Sequence, residues 1–314
     1  MRILSLTAVI IMLAVTGAFA RQPRDQLNEV MRTEYFVVHY DPSDPYLARI
    51  AADTAARELV RIADDLGYVV ESDRPFPLYA YPTHYAFTNS GGLKLHKYTV
   101  GTARTGDERI SVDASGALAS TQEVLAHEIT HALMFRLLGR RSGALPLWLY
   151  EGIAKYQSEE PARNDDLLIA DAARNGTLMP LSDLKSDFPE DRVALSYAES
   201  ASAVRYMVEH HGKSSMRKLI EEAGKAGRFD KAMKAAIGLD PTEFENKWYE
   251  SATRRYRGVR ISGIIAGSVS AFMATLAIAA FLVRRRRKRQ AALEWEQEEF
   301  EEALRAQMGN DWWR

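Results

Sequence analysis

An uncharged apolar stretch from Ile261 to Val283 constrains the organisation of this chain more than any other feature. It is long enough to cross a bilayer as one helix, and the basic run RRRRKR follows it directly at residues 284–289. Because basic residues keep their end of a span on the cytoplasmic side, residues 284–314 are predicted to form a cytoplasmic tail. If this stretch is a span, a globular domain must precede it. The alternative interpretation is a buried core helix.

Small residues recur every four positions along this predicted span, at Gly263, Gly267, Ala271 and Thr275. Such a stripe permits close packing between two membrane helices, so a homodimer through the span is one expectation. The alternative is an ordinary apolar span, since many are rich in Gly and Ala. The stripe therefore leaves the oligomeric state open.

The first twenty residues have the pattern of a secretory signal peptide: an early Arg2, an apolar run and small residues ending at Ala20. We therefore predict a signal peptide over 1–20, an extracytoplasmic domain over 21–257, a transmembrane helix over 261–283 and a tail over 284–314. This places the protein in the cytoplasmic membrane as a single-pass protein, with its main domain periplasmic or extracellular. A formal net charge of -1 gives no reason to expect a nucleic-acid partner.

The chain contains no cysteine, although the predicted compartment is oxidising. The domain must therefore be held by its core instead of by disulfides. Thiol catalysis and thiolate ligands are also excluded, so a transition-metal site would have to use histidines and carboxylates.

The first part of the predicted domain mixes strands and helices. Strand-like segments are EYFVVHYDP, FPLYAYP, KYTVGTA and ERISVDAS, and residues 21–33 are expected to be a polar lead-in. A long amphipathic helix is predicted from Pro45, with apolar residues at helical spacing, and Gly67 is expected to end it. The fold class is therefore predicted to be α+β, with a small mixed sheet at the N-terminal side.

From Ser120 onward the pattern is almost entirely helical. Ser120 and Glu123 have the spacing of a capping box, Gly139 is placed to end that helix, and Pro146 is expected in the first turn of the next. Further helices are predicted over 164–174, 194–210, 214–225, 228–236 and 241–256. A mostly helical lobe thus follows the sheet.

The segment LAHEITHALMF, residues 125–135, contains candidate metal-binding and catalytic residues. His127 and His131 are four residues apart, so on a helix both imidazoles project from one face and can bind one metal ion. Glu128 borders the same site and can take a proton from a bound water without binding the metal itself. The helix is expected to be amphipathic. The competing interpretation is a packed helix whose two histidines make ordinary hydrogen bonds.

A third ligand is available in WLYEGIAKY, where Glu151 follows on the next predicted helix. A hairpin of two helices can return its carboxylate to the imidazoles, and Gly152 would let the helices approach closely. The alternative is an exposed carboxylate at a helix start, which the helix dipole favours. The neighbours Trp148, Leu149, Tyr150 and Ile153 indicate an apolar setting instead. One Zn²⁺ ion bound by two imidazoles, one carboxylate and a water is therefore predicted.

HEITH followed by WLYEGIAKY resembles the gluzincin zinc metallopeptidases, and especially the peptidase MA-like domains related to thermolysin and membrane alanyl aminopeptidase. The YFVVHYDP and DPTEFENKWYESA segments are also similar to those domains, so the resemblance covers residues 33–257. It implies a thermolysin-like catalytic domain. It also implies that Tyr197, in LSYAESASAVRYM, hydrogen-bonds the oxyanion, with Tyr206 as the competing choice and a core tyrosine as the structural alternative.

Two departures limit this resemblance. The aminopeptidases have a segment that binds a substrate's free amine, and ERISVDASGALAS shows nothing similar, so exopeptidase activity is not supported. Thermolysin-like enzymes place an Asp four residues after the Glu ligand, where this chain has Lys155. The strand RISVD is expected either to pair with an extended substrate or to be a plain sheet strand.

The sequence thus predicts a membrane-anchored zinc metallopeptidase, an endopeptidase that hydrolyses peptide or protein substrates with a zinc-activated water. The predicted ligands are His127, His131 and Glu151, and the predicted catalytic residues are Glu128 and Tyr197. The alternative is a non-hydrolytic metal-binding or partner-binding module on the same fold. Intact Glu128 favours the peptidase.

Overall fold

The computed structural model describes residues 27–90, 99–116, 120–158 and 163–256. The predicted signal peptide, the predicted span and the predicted tail lie outside these residues. Among the helices that are described, none combines the length and the apolar content that a bilayer crossing needs.

Five strands form one mixed sheet in the order β1-β2-β3-β5-β4. Strands β2, β3 and β5 run parallel, while β1 and β4 pair antiparallel with β2 and β5. The strands are β1 Glu29–Arg32, β2 Phe36–Tyr40, β3 Phe76–Tyr81, β4 Gly101–Ala103 and β5 Ile110–Asp113. The prediction of a polar lead-in was wrong at β1, whose side chains are mostly exposed and so lack an apolar alternation.

Nine α-helices are described. They are α1 Pro45–Leu66, α2 His84–Thr88, α3 Thr121–Leu138, α4 Leu147–Gln157, α5 Arg163–Asn175, α6 Val193–His211, α7 Ser214–Ala226, α8 Phe229–Ile237 and α9 Pro241–Tyr256, and a 3₁₀ helix covers Gly139–Ala144. The predicted order, a mixed sheet followed by a mostly helical lobe, is therefore confirmed. The short helix α2 was not predicted.

Helix α1 is an amphipathic helix with defined ends. The Asp44 carboxylate accepts a hydrogen bond from Leu47 N at 3.0 Å, and Pro45 occupies the first position. Gly67 ends the helix with a φ of 74°, a left-handed conformation that suits glycine. The buried face of α1 packs on β2, β3 and α3, so the core lies between the sheet and these two helices.

Helix α3 has a different environment from the one expected. Every residue from Val124 to Phe135 is buried, because the helix contacts the sheet, α1, α4 and α7. The expectation of an amphipathic helix was therefore wrong. Ser120 precedes the helix as predicted, but its side chain makes no capping hydrogen bond, and Gly139 follows the last residue.

Candidate metal centre

The two histidines of HEITH are brought together by one helical turn of α3. His127 and His131 are 1% and 2% exposed, and their Nε2 atoms lie 3.1 Å apart. Residues four apart on a helix share a face, which accounts for the convergence of the two rings. Both imidazoles therefore present a nitrogen to the same point inside the protein.

Helix α4 brings the third side chain to this point. After α3, the 3₁₀ helix reverses the chain, and α4 begins at Leu147 with Pro146 as the residue before it. Glu151 is 1% exposed, and its Oε2 lies 3.3 Å from His127 Nε2 and 3.6 Å from His131 Nε2. Its neighbours Trp148, Leu149, Tyr150 and Ile153 are all buried, so the apolar setting is confirmed.

The spacing of these three atoms fits a metal ion. Bonds of about 2.0–2.1 Å to a tetrahedral zinc place the ligand atoms roughly 3.3–3.4 Å from one another. The three separations, 3.1, 3.3 and 3.6 Å, bracket that value. In the described chain, His127, His131 and Glu151 are also the group of buried residues whose ligand atoms converge closely enough for a metal.

Several buried polar atoms around the centre are available to bind a ligand. His131 Nδ1, Glu128 Oε1 and Glu151 Oε1 are buried and have no hydrogen-bond partner among the described residues. Burying a polar atom without a partner costs on the order of 1–3 kcal/mol. The protein thus keeps a destabilising arrangement here, as a site prepared for a cation and its substrate would require.

Glu128 lies between the two histidines in sequence and faces the end of the sheet. Its Oε1 and Cγ would lie 2.7 and 2.8 Å from a Cβ at Gly101, and Val124 Cγ1 would lie 2.6 Å from it. Such distances are too short for any side chain at position 101. Strand β4 therefore approaches Glu128 so closely that only glycine fits there.

The pKa values of the two carboxyl groups at the centre are shifted in opposite directions. Burial, together with the nearby Glu151 charge, raises the pKa of Glu128 well above its usual range. Burial alone would raise the pKa of Glu151 too, but the His131 and His127 imidazoles lower it to about 2. One group thus stays ionised as a ligand must, while the other is disposed to hold a proton.

The close approach predicted at Gly152 exists, but its partner is α6. A Cβ at this position would lie 2.5 Å from the backbone oxygen of Ser200 and 2.8 Å from Val204 Cγ2. Helix α6 therefore lies against α4 immediately beside Glu151.

Tyr197 and Tyr206 lie on different sides of α6. Tyr197 is buried, packs edge-on against Phe188 and is about one turn before Ser200, on the stripe that faces α4. Tyr206 is about two and a half turns further along, so it points the other way, where it stacks on His210 and packs against Phe244 of α9. The two tyrosines therefore lie on opposite faces of α6, and Tyr197 is the one on the face that contacts α4.

The strand expected to pair with substrate is in the interior of the sheet. Strand β5, which contains RISVD, pairs with β3 on one side and β4 on the other, so its backbone groups are already used. Of the two interpretations given for RISVD, pairing with substrate is therefore wrong and the plain sheet strand is confirmed. Within the described residues, β4 is the last strand on this side, and it is the strand that contacts Glu128.

Lys155 occupies the position where thermolysin-like enzymes have an acid, and it has a structural role instead. It is 8% exposed, and its Nζ lies 3.5 Å from Asp165 Oδ2 on α5. The ion pair therefore connects α4 to α5, one turn after Glu151.

Sequence reasoning missed two residues, Gly101 beside Glu128 and the buried Glu199 of α6. A glycine inside the KYTVGTA strand was a sign of close backbone approach at Gly101, but its partner could not be identified. Glu199 on α6 is fully buried; its Oε1 accepts a hydrogen bond from Met179 N at 3.0 Å, and burial raises its pKa to about 8. No motif indicated that this glutamate would be buried.

Comparison with known proteins identifies the family. Residues 54–253 match the model of the Peptidase MA superfamily, and this range contains the sheet strands β3 to β5, the HEITH helix and Glu151. The search of curated proteins finds no match. Since the family match covers more than half of the chain and the three ligand-type side chains converge, this chain belongs to the Peptidase MA superfamily and is a zinc metallopeptidase.

Proposed function

We propose that this protein is an endopeptidase that holds one zinc ion with His127, His131 and Glu151. The observation that carries the proposal is the triangle of Nε2, Nε2 and Oε2 atoms, whose sides match the edges of a zinc tetrahedron. Three protein ligands leave a fourth position open, as in catalytic zinc sites.

A bound zinc ion would supply Lewis acidity, which lowers the pKa of water towards neutrality and polarises a peptide carbonyl. Glu128 is the general base in this proposal. Its carboxyl is buried beside the ligands, where it is placed to take a proton from the attacking water and return it to the leaving amine.

Tyr197 is proposed to donate a hydrogen bond from its hydroxyl to the oxygen that develops negative charge. Its support is the position on the α4-facing stripe of α6, one turn before the contact with Gly152. A donor placed in advance at such an oxygen stabilises the transition state in a dry site.

Strand β4 is proposed to align the substrate. Its Gly101 contacts Glu128, so a peptide lying along this strand would pass directly over the general base. An extended peptide can pair with such a strand through backbone hydrogen bonds, which require no free terminus.

Membrane anchoring by residues 261–283, with the catalytic domain outside the cytoplasm, is a proposal supported by the apolar sequence and the basic run after it. Accessibility of tags at the two ends of the chain in intact cells would test it. Protection of a C-terminal tag and accessibility of the domain are expected, and the reverse pattern would contradict the orientation.

The function is tested on the purified full-length chain by metal analysis and by mass spectrometry of a digested peptide mixture. We expect about one zinc per chain and internal cuts, and Glu128→Gln should keep the metal while losing about 10²–10⁴-fold in cleavage rate. Asp53→Asn, a matched change at an exposed ion pair of α1, should cleave normally.

Each other outcome excludes a part of the proposal. Stepwise loss of residues from one terminus would show an exopeptidase. Zinc binding without Glu128-dependent cleavage would favour the non-hydrolytic module, and absence of metal from the wild-type protein would contradict the site itself.

A further inference from the structure

The two helices that provide the metal ligands are covalently joined at one end only. The 3₁₀ helix connects the end of α3 to the start of α4. At the other end, Thr121 begins α3 about two turns before His127, and Gln157 ends α4 about two turns after Glu151. The separation of these free ends affects how far the carboxylate lies from the imidazoles, so whatever holds them together affects the geometry of the metal site.

A polar cluster on α1 lies at this open end. The Arg61 guanidinium donates to Glu58 Oε2 through Nε at 2.9 Å, to Gln157 Oε1 through Nη1 at 3.0 Å and to the backbone oxygen of Gln157 through Nη2. Glu58 Oε1 in turn accepts a hydrogen bond from Gln122 Nε2, in the first turn of α3, at 2.8 Å. One arginine–glutamate pair thus joins the beginning of α3 to the end of α4.

Burial and geometry make this cluster stiff. The side chain of Glu58 is 7% exposed, that of Arg61 is 32% exposed, and Gln157 is 1% exposed. A guanidinium holds its donors in a fixed plane, so two hydrogen bonds to one residue define the orientation of that residue. Helix α1 packs along α3, and Arg61 extends this connection across to α4.

We propose that Arg61 is a positioning residue for the metal centre, because it fixes the end of α4 and thereby the distance from Glu151 to the two histidines. The inference rests on the proposed metal site. Arg61 touches neither metal nor substrate, and its effect passes through Gln157 and the last two turns of α4. A residue with a merely structural role would change stability without changing metal affinity.

The test measures the zinc dissociation constant of the full-length protein by competition with a chromophoric chelator, together with the thermal midpoint of the metal-free protein. We expect Arg61→Ala to weaken zinc binding about 10-fold, the lower end of the range for groups that hydrogen-bond a metal ligand directly, because Arg61 acts through Gln157. Arg49→Ala is the matched control, since Arg49 lies on the same helix and pairs with the exposed Asp53. Its zinc affinity should equal that of the wild type.

Arg61→Lys separates the two connections that Arg61 makes. A lysine can still pair with Glu58 but presents a single ammonium instead of a planar fork, so it should not restore the two bonds to Gln157. We expect its zinc affinity to stay below that of the wild type. Wild-type zinc affinity in Arg61→Lys would show that the ion pair with Glu58, and not the hydrogen bonds to Gln157, determines zinc affinity. That result would overturn the proposal.

Cobalt substitution gives a second readout, because the visible absorption of Co²⁺ responds to coordination geometry. The Arg61→Ala spectrum should differ from that of the wild type, and the Arg49→Ala spectrum should not. If Arg61→Ala fails to fold, Gln157→Met removes one acceptor of Arg61, together with an amide nitrogen that has no hydrogen-bond partner among the described residues, and should still weaken zinc binding several-fold.

Unchanged zinc affinity in Arg61→Ala, or in Gln157→Met where the first does not fold, would contradict the inference. So would a lower thermal midpoint with the same dissociation constant. Failure of the wild-type protein to bind zinc would instead remove the proposed function and this inference together, so the two failures are distinguishable.

Discussion

Helices α1 and α3 lie side by side, and each buries a glutamate, but the surroundings of the two carboxylates differ. Glu58 of α1 is 5% exposed and accepts hydrogen bonds from Gln122 and Arg61. Glu128 of α3 is 1% exposed, and its Oε1 has no hydrogen-bond partner in the described chain. The first carboxylate holds helices together. The second is maintained at a cost to stability, which is the pattern expected of a group reserved for a reaction.

The same methionine substitution at both glutamates would separate the two roles. Glu128→Met should lower cleavage by about 10²–10⁴-fold and raise the free energy of unfolding of the metal-free protein by about 1–3 kcal/mol, because it removes an unsatisfied polar group. Glu58→Met should lower the free energy of unfolding by about 2 kcal/mol, because it removes the carboxylate that accepts from both Arg61 and Gln122.

Denaturant titration of both variants, with chelator present, measures these changes. The comparison would fail if the two substitutions shifted the free energy of unfolding in the same direction. It would then follow that the presence of hydrogen-bond partners does not decide whether each carboxylate stabilises the fold.

A substitution at Gly101 tests whether the space beside Glu128 is needed for activity. Gly101→Ala should reduce kcat/KM on the order of 10²-fold, because the new Cβ would lie within 3 Å of Glu128 and Val124 and must displace the carboxylate. Gly106→Ala is the matched control in the turn after β4, where no atom lies within 4 Å of the new Cβ. Steady-state kinetics at constant zinc loading check both, and equal rates for the two variants would refute the close-approach argument.

Glu199 is intermediate between Glu58 and Glu128. One of its oxygens accepts a hydrogen bond from Met179 N, and Oε2 has no hydrogen-bond partner in the described part of the chain. Its carboxyl has a pKa near 4.5 when unfolded and about 8 when folded, so the folded protein binds the extra proton between these values. Stability should therefore fall as pH rises through that window, by roughly a kcal/mol per pH unit from this group.

Replacing this group with an amide removes the titration but keeps the acceptor for Met179 N. The difference in free energy of unfolding between Glu199→Gln and the wild type should thus grow in favour of the variant from pH 5 to pH 8. Chemical denaturation at several pH values measures it. Parallel curves for the two proteins would show that Glu199 does not titrate in this range.

The convergence of His127, His131 and Glu151 was predictable because the pattern that produces it is local in sequence. Two histidines one turn apart and a glutamate on the next helix specify the site with little knowledge of the rest of the fold. Helix ends were predictable for the same reason, as the match of α1 to Pro45 and Gly67 shows, since local side chains and glycines define them.

The residues that support the site were not predictable, because their partners are distant in sequence. Arg61 meets Gln157 across 96 positions, and the contact of Gly101 with Glu128 depends on the placement of β4 at the end of the sheet. The expected amphipathic pattern failed at α3 for a related reason: neighbours on all sides bury its polar residues as well as its apolar ones. Periodicity predicts which face is apolar, but not how many faces are covered.

The close contact at Gly152 means that α4 and α6 cannot move independently at this point. Tyr197 lies one turn before the Ser200 carbonyl that meets Gly152, and Glu151 lies directly beside that glycine. In the proposed function, in which Tyr197 contacts substrate and Glu151 holds the metal, a shift of α6 on substrate binding would move α4 as well, and a larger residue at position 152 would push the two helices apart. Substrate engagement and coordination geometry should accordingly change together in this protein.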